Sequence, residues 1–598
     1  MKRCAAVAAV ICFLAGVPAG ATVRYRISLA HPEGHFFQVT MTIPRAGSGM
    51  EVALPAWNAL YQIRDFAYRV QDVRATWTLE NGVVVQWQVT KLTKDTWKLT
   101  DPGDTATGAS PREVRVQYRI FWDDPGPFDS QLNAHHAFVN FAEVLMYLPQ
   151  HRGEDVRVDF ADVPSAWKAT AELRAGGGEN SFSAISYDAL VDAPAEIGTF
   201  EEAHFTENGA RYRMVIDGNN EERAALLDGL RRIAGYETTL MRGAPFDEYL
   251  FLFHIGPYDE AGGGGMEHAN CTAIGASSAN GALRIAAHEF FHLWNVKRIR
   301  PVSLQPVDYS QEQWTRALWF AEGVTSTYCS YTLLRSGIWS RAAFYDDLAG
   351  QIADLESRPA RRWKSVEEAS LDAWLETYEF YGRPDTSISY YNKGQIVGDM
   401  LDLTIRNATD NHASLDDVMR RMNTEYAQKG KFYDDSEGVR GVAEEVAGRS
   451  LADFFARYVS GTTEIPYNEF LGPAGLQLHT TQEENADLGF DVGRGPDGRS
   501  VVAAVASGGL AADAGLATGD GLVSINGEAF PRYISRWMRE HLRPGETVRL
   551  VVERNGMQKA VQYSAGTDTQ QHDELVEIPN ATARQVRIRE GWLKGTTN

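Results

Sequence analysis

Over the first third of the chain, apolar and polar positions alternate with a period of two. Val23, Tyr25, Ile27 and Leu29 interleave with Arg24, Arg26 and Ser28; Val114, Val116, Tyr118 and Ile120 repeat the pattern, as do Val156, Val158 and Phe160. Successive side chains of a strand point to opposite faces, so this period predicts half-buried strands. Asp101-Pro102-Gly103 and Asp124-Pro125-Gly126-Pro127 supply turns between them. No helical period of any length interrupts residues 22 to 218, so a β-rich domain is predicted there. Its acidic loop residues, such as Asp123 and Asp124, read as solvated turns. The period changes near Asn219-Asn220, after which Leu226, Leu230 and Ile233 share one helix face. Tyr249 to Ile255 is a strongly apolar strand. Four glycines, Gly262 to Gly265, follow, and Met266 to Ile274 reads as a further strand on which Glu267 points opposite to Met266 and His268.

A buried helix is predicted next, with Asn280 as candidate N-cap and Leu283, Ile285, Ala286 and Ala287 along it. Beyond Glu322 the chain reads as mostly helical to about residue 470. Ala343 to Leu355, Tyr391 to Ile405 and Leu415 to Tyr426 are the clearest helices, and Ser414 and Asp417 are spaced to cap the last. Strands return after about 475, at Ser500 to Val505 and Val548 to Arg554, around a helix from Pro531 to His541. The fold class is multidomain α+β. Residues 567 to 598 are polar and Thr/Gln-rich and read as a tail without a role.

Composition narrows the class without naming it. A chain of 598 residues with 44% hydrophobic and 23% charged residues is that of a folded protein of several domains. A formal charge of −21, with no long basic run, argues against nucleic acid or an anionic membrane as partner. Residues 1 to 21 have the form of a signal peptide: Lys2 and Arg3, an apolar run from Ala5 to Leu14, and small residues up to Ala21. Cleavage after Ala21 would leave a chain of charge −23 exported across the inner membrane, periplasmic or extracellular, with no integral membrane segment. Cys271 and Cys329 remain in it, and could pair in an oxidising compartment or stay as two buried thiols.

The chemistry lies in His288-Glu289-Phe290-Phe291-His292. Two histidines four apart share one helix face and can take two corners of a tetrahedral zinc, while Glu289 is angled toward the open corner. Glu322, in Trp319-Phe320-Ala321-Glu322-Gly323, is the candidate third ligand, because a carboxylate inside an apolar helical pattern is costly to bury without a cation. Twenty-nine residues separate it from His292, enough for a loop and a returning helix. Asp308 and Glu312 sit in a more polar run. Asn295 and Arg298 stand where the metzincin pattern needs Gly and His, which excludes that class.

Trp319 to Gly323 resembles the W-x-x-E-G third-ligand motif of gluzincin aminopeptidases, and Tyr391-Asn392-Lys393-Gly394 resembles their Y-E-K-G segment. Gly264-Gly265-Met266-Glu267-His268 is similar to the G-x-M-E-N strand that grips a substrate's amino terminus. Together with Trp294 to Pro301, W-N-V-K-R-I-R-P, these motifs resemble the glycyl aminopeptidase family, gluzincins with a C-terminal PDZ domain. Leu488-Gly489-Phe490, Ala511 to Leu516 and Gly519 to Gly527 are similar to the A-x-x-A-G-L-x-x-G-D-x-I-x-x-I-N-G run of bacterial PDZ domains. The resemblance departs from the aminopeptidase-N pattern in a longer spacer before Glu322 and in His268, where Asn is usual.

That likeness implies a thermolysin-like catalytic domain at 219–472 and a PDZ domain at 473–566. It implies one Zn²⁺ held by His288, His292 and Glu322, with Glu289 and Tyr391 catalytic. Gly264, Gly265, Glu267 and His268 would bind a peptide with a free amino terminus and a small first residue, Gly or Ala. The PDZ domain could receive a peptide ligand by strand addition, with Leu488, Gly489 and Phe490 offering N–H groups to a carboxylate. Two other readings stay open: a zinc endopeptidase with the same centre, and a PDZ-bearing binding or sensor protein with a relic zinc site.

Overall fold

The computed structural model describes residues 22–58, 61–103, 112–218, 221–377, 382–496, 498–506 and 508–598. The expected signal-peptide segment and the expected helix start at Asn219-Asn220 lie outside the described residues. The described chain forms two compact units: one of residues up to Asp347, Asp354–Leu476 and Pro579–Asn598, the other of Leu348–Ala353 and Gln477–Ile578. Among the described residues no helix is long and apolar enough to cross a membrane.

The larger unit is α+β. Its N-terminal part carries a ten-stranded sheet, in which Val23–Ser28 lies between Phe36–Ala46, antiparallel, and Val156–Ala161, parallel. The predicted alternation is realised: Val23, Tyr25 and Ile27 are buried while Arg24 and Arg26 are exposed. A four-stranded sheet with His136–Val139 and Ala195–Gly198 packs into the same hydrophobic core.

A second sheet positions the site. Its five strands run in the order Glu201–Glu207, Ala210–Gly218, Glu248–Ile255, Cys271–Ala276 and Gly264–Glu267. Glu248–Ile255 is flanked on both sides by parallel partners and is buried almost throughout, the setting that an unbroken apolar run indicates. The first two strands, counted from the sequence with the N-terminal domain, pair here instead, since alternation does not say which sheet a strand joins. The strand expected over Met266–Ile274 is a hairpin, Gly264–Glu267 antiparallel to Cys271–Ala276. Glu267 therefore ends an edge strand. Cys271 and Cys329 are both buried free thiols.

Helices complete this unit. Tyr390–Ala408, buried along most of its length, packs on the turn Trp319–Val324, where Gly323 and Gly394 meet backbone to backbone. A Cβ at Gly394 would lie 2.5 Å from the Trp319 carbonyl oxygen, and one at Gly323 2.4 Å from the Gly394 Cα. Residues 567–598 are not a featureless tail. They contain the strand Gly566–Glu577 and a helix, Ala583–Lys594, with a capping box at Thr582. That helix belongs to the larger unit: Trp592, fully buried, donates its indole N–H to Tyr331 Oη at 2.7 Å, and Arg335 donates to the Trp592 carbonyl at 2.7 Å. The polar composition hid an anchor of two or three apolar residues.

In the smaller unit, Phe490–Arg494, Ser500–Val505, Gly521–Ile525, Thr547–Arg554 and Met557–Ser564 form an antiparallel path with the helix Ile534–His541. Val502, Ile525, Trp537, Val548, Leu550, Val552 and Val561 are buried in its core. Gly489 has φ +70°, and its N–H donates to Asp487 Oδ1 at 2.8 Å.

Candidate metal centre and active site

The helix Ala279–Phe291 carries His288 and Glu289, and His292 is its C-cap. Its N-cap is Ser278, whose Oγ accepts the Gly281 N–H at 3.3 Å, two residues before the expected Asn280. The four-residue spacing brings the two imidazoles to 4.7 Å between ring centroids. His292 is buried and its Nδ1–H donates to the Asn295 carbonyl at 2.6 Å, which leaves Nε2 with a lone pair. That Nε2 lies 3.1 Å from Glu322 Oε2, and His288 Nε2 lies 3.3 Å from the same oxygen.

Glu322 comes from the second turn of the site, and the backbone there is unusual. Trp319–Val324 is a π-helical turn leading directly into Thr325–Arg335, a local widening often found where side chains are re-aimed. Asn295 fixes it: its Nδ2 donates to the Phe320 carbonyl at 2.8 Å and to Thr325 Oγ1 at 3.1 Å. One residue thus orients a histidine through its carbonyl and the Glu322 turn through its side chain.

Three acceptors converging in a dry place need a cation between them. Burial raises the pKa of Glu322, but His292 and then His288 overcome it and bring the carboxyl down to about 2. Burial lowers His292, and Glu322 reverses this to about 10. Burial lowers His288. The environment therefore favours positive charge at the centre, and two imidazoles with one carboxylate are a donor set that suits zinc. Glu289 is held next to it without being a third histidine's substitute. Its carboxyl is buried, its Oε2 has no hydrogen-bond partner among the described residues, and burial pushes its pKa well up. The residues fit a catalytic zinc and an adjoining water.

Gly265 explains part of the glycine run. A Cβ there would lie 2.5 Å from the Glu289 Cγ and Oε1, so only glycine lets the edge strand pass over that carboxyl. Gly264, at φ +100°, packs against Phe128, where a Cβ would come within 2.8 Å. Glu267, Glu289 and His292 present ligand atoms within 4.8 Å of one another, which puts Glu267 at the mouth of the centre. His268 is buried, and its Nδ1 lies 3.3 Å from Asp192 Oδ1, to which Lys297 donates at 2.7 Å. Tyr391 sits with its ring 6.0 Å from that of His288 and stacks on Tyr390 at 4.7 Å. The Gly323–Gly394 contact is what brings its helix so close.

A cavity of about 300 Å³ opens beside Glu267 and His268, lined also by Asp192, Lys297 and Arg300. Sequence reading missed Asp192 and gave Asn295 and Lys297 no role. Asp192 follows a short helix of the N-terminal part, and no pattern announces it. Asn295 carried a signal, its place in W-N-V-K-R-I-R-P. Leu488, Gly489 and Phe490 lie in the smaller unit, as described above. Asp308 is no ligand of this cluster; it accepts from Ser310 and Gln311 in its own turn.

Comparison with known proteins bears on the same stretches. Residues 24–199 match the Peptidase M61 N-terminal domain, and residues 281–397 match the M61 glycyl aminopeptidase domain. These two stretches belong to the M61 peptidase family. The M61 catalytic match contains His288, Glu289, His292, Glu322 and Tyr391, while Glu267 falls between the two matched regions. The crystal structure of an aminopeptidase N family protein from Idiomarina loihiensis has the same fold, with TM-score 0.83 at 24% identity over 96% of this chain and 100% of that one. A two-domain M1 zinc metallopeptidase bound to L-tryptophan aligns at TM-score 0.43 and 16% identity, covering 74% of this chain and 95% of that one. Yeast LTA4 hydrolase in complex with bestatin aligns at TM-score 0.42 and 12% identity, covering 75% and 67%. No curated protein matches the chain. Both matched models are those of a peptidase family.

Proposed function

We propose that the protein is a zinc aminopeptidase that removes small first residues, Gly or Ala, from peptides with a free amino terminus. The observation that carries this is the convergence of His288 Nε2 and His292 Nε2 on one oxygen of Glu322, with a Glu289 oxygen, Oε2, that has no hydrogen-bond partner among the described residues alongside. Zinc held by His288, His292 and Glu322 supplies Lewis acidity, making a nearby water acidic near neutral pH and polarising the scissile carbonyl.

Glu289 takes the proton of the attacking water and delivers it to the leaving amine. Burial pushes its pKa up, so it holds a proton more readily than an exposed glutamate, which suits a group that must take a proton and then give it back. The Tyr391 hydroxyl donates to the oxygen that becomes negative, a contact that strengthens only as charge develops. Glu267 pairs with the substrate's ammonium and so fixes how far the chain enters. Gly264 and Gly265 present the edge strand to the peptide backbone. His268, tied to Asp192 and lining the cavity beside Glu267, completes the substrate site. The smaller unit is assigned as a PDZ module, with a peptide ligand entering beside Leu488, Gly489 and Phe490. The N-terminal segment directs export, which places the enzyme in the periplasm or outside the cell.

The test is hydrolysis of glycyl and alanyl chromogenic amides by the purified protein, with and without a chelator. Cleavage of the free amides that a chelator abolishes and zinc restores supports the reading. Cleavage only within a blocked peptide would make the protein an endopeptidase, and zinc binding without hydrolysis would leave the PDZ-bearing binding or sensor protein.

A further inference from the structure

A second group of metal-ligating side chains lies away from the catalytic centre. His136 and Glu196 come from the four-stranded sheet of the N-terminal part; His254 and Asp217 come from the five-stranded sheet. Asp217 and His254 are register partners on adjacent parallel strands, so they face the same way. On the other sheet His136 is opposite Gly198, and Glu196 lies two residues from that glycine on the same face. A Cβ at Gly198 would meet the His136 Cβ at 3.1 Å and Glu196 Oε1 at 3.5 Å, so the glycine leaves the room that the imidazole and the carboxylate occupy.

Their separations are close to those of the catalytic ligands, although each imidazole meets its own oxygen of the carboxylate. Glu196 lies 2.9 Å from His136 Nδ1 through Oε1 and 3.0 Å from His254 Nε2 through Oε2. Asp217 Oδ2 stands 3.4 Å from His136 Nδ1. Corresponding separations at the catalytic centre are 3.1 and 3.3 Å. His136, His254 and Glu196 are buried, at 5%, 6% and 1% exposure.

A chain of hydrogen bonds also fixes the tautomer. Gln131 donates its amide N–H to Asp123 Oδ1 at 3.0 Å, which turns its carbonyl oxygen toward His136 Nε2 at 3.1 Å. Nε2 therefore carries the proton of the neutral ring, and Nδ1 points its lone pair at two carboxylate oxygens. Only a positive charge relieves that arrangement. Such an outer partner on the far nitrogen is what metal-bound histidines commonly have.

We propose that His136, Glu196, His254 and Asp217 bind a second divalent ion of the zinc class. Two carboxylates and two neutral imidazoles balance a dication, and two nitrogen and two or three oxygen donors suit zinc better than calcium or magnesium. Because the ligands come from two sheets, the ion would staple the N-terminal part to the catalytic sheet, a structural role. The alternative occupant is a proton: burial lowers His136, Glu196 outweighs it, and the pKa reaches about 9.

Metal counting separates the two, and it does so independently of the peptidase reading. The full mature protein, loaded with zinc and freed of excess by gel filtration, should hold two ions per chain by elemental analysis. His288→Ala/His292→Ala removes the catalytic ligands and should keep one, without regard to activity. Zinc-edge anomalous density in crystals of that double variant should lie between His136 and His254. A folded double variant with no zinc, or with its ion located elsewhere, overturns the proposal and leaves His136 as an imidazolium. Adding Glu196→Gln to the double variant should then release the remaining ion; retention of it would equally refute the assignment.

Discussion

The Asn295 carbonyl accepts the Nδ1–H of His292 at 2.6 Å while its own side-chain amide holds the Phe320 carbonyl at 2.8 Å. Asn295 thereby couples two of the three candidate zinc ligands. Asn295→Ala keeps the carbonyl but strips the partner from a buried turn next to Glu322. Zinc affinity should fall roughly 10- to 100-fold, the usual cost of losing an outer partner of a metal ligand. Competition with a chromogenic chelator measures it. Unchanged affinity would mean that the π turn holds itself.

Tyr391 and Tyr390 are adjacent and stacked, and the Tyr391 ring lies 6.0 Å from that of His288. Tyr391→Phe should lower kcat by roughly 100-fold or more with KM little changed, as for one lost oxyanion donor. Tyr390→Phe should change kcat by only a few-fold. Steady-state kinetics on both variants decides which hydroxyl reaches the reacting oxygen.

Trp592 shows what the C-terminal helix contributes. Replacing this fully buried indole by alanine should cost about 3–5 kcal/mol of stability, read from denaturant unfolding. A chain cut after Leu476 loses the helix and should unfold easily. Deleting only 477–578 retains it, and its cut ends lie close, because Thr480 bonds Asp573 and Thr481 bonds His572 across paired strands. That internal deletion should keep hydrolysis of dipeptide-sized substrates within a few-fold. Loss of hydrolysis in a folded deletion would give the smaller unit a part in the active site.

Much of this was legible in the chain. The alternation at Val23 to Leu29 and the helical spacing of His288 and His292 follow from side-chain periodicity, so the strands, the helix and the facing imidazoles could all be read. Glu322 was legible because an acid among apolar neighbours needs a reason. The π turn around it was not, since backbone hydrogen-bond shifts leave no periodicity. Nor was Asp192, whose role depends on a sheet and a loop meeting across more than 70 residues from His268. The Ala583–Lys594 helix was hidden for a third reason: its anchoring rests on few apolar side chains, Ile588, Trp592 and Leu593.

Asp192 gives a pH dependence with a definite sign. Burial raises its pKa, but Lys297 and His268 overcome this and bring it to about 2, below the roughly 3.9 of an unfolded aspartate. A depressed carboxyl stabilises the fold fully above the unfolded pKa, and the contribution fades as pH falls toward the folded one. Asp192→Asn should therefore be less stable than wild type at neutral pH, with the gap closing between about pH 4 and pH 2. Denaturant melts across that range check it; a gap that persists at pH 2 would assign the loss to packing instead.

Glu267 is the residue on which the aminopeptidase claim turns, because it stands at the mouth of the centre within 4.8 Å of ligand atoms on Glu289 and His292. A charge-assisted hydrogen bond to a substrate ammonium there is worth about 1.5 to 3 kcal/mol. Glu267→Gln should lower kcat/KM for a free-amine substrate by roughly 10- to 150-fold. N-acetylation of the substrate should penalise the wild type heavily and Glu267→Gln much less, since that interaction is already gone. The most direct measurement is this double cycle of enzyme and substrate, run on glycyl amides with and without the acetyl group. A coupling energy of about 1.5 kcal/mol or more is the expected result, whereas simple additivity of the two changes would mean Glu267 never meets the amino terminus.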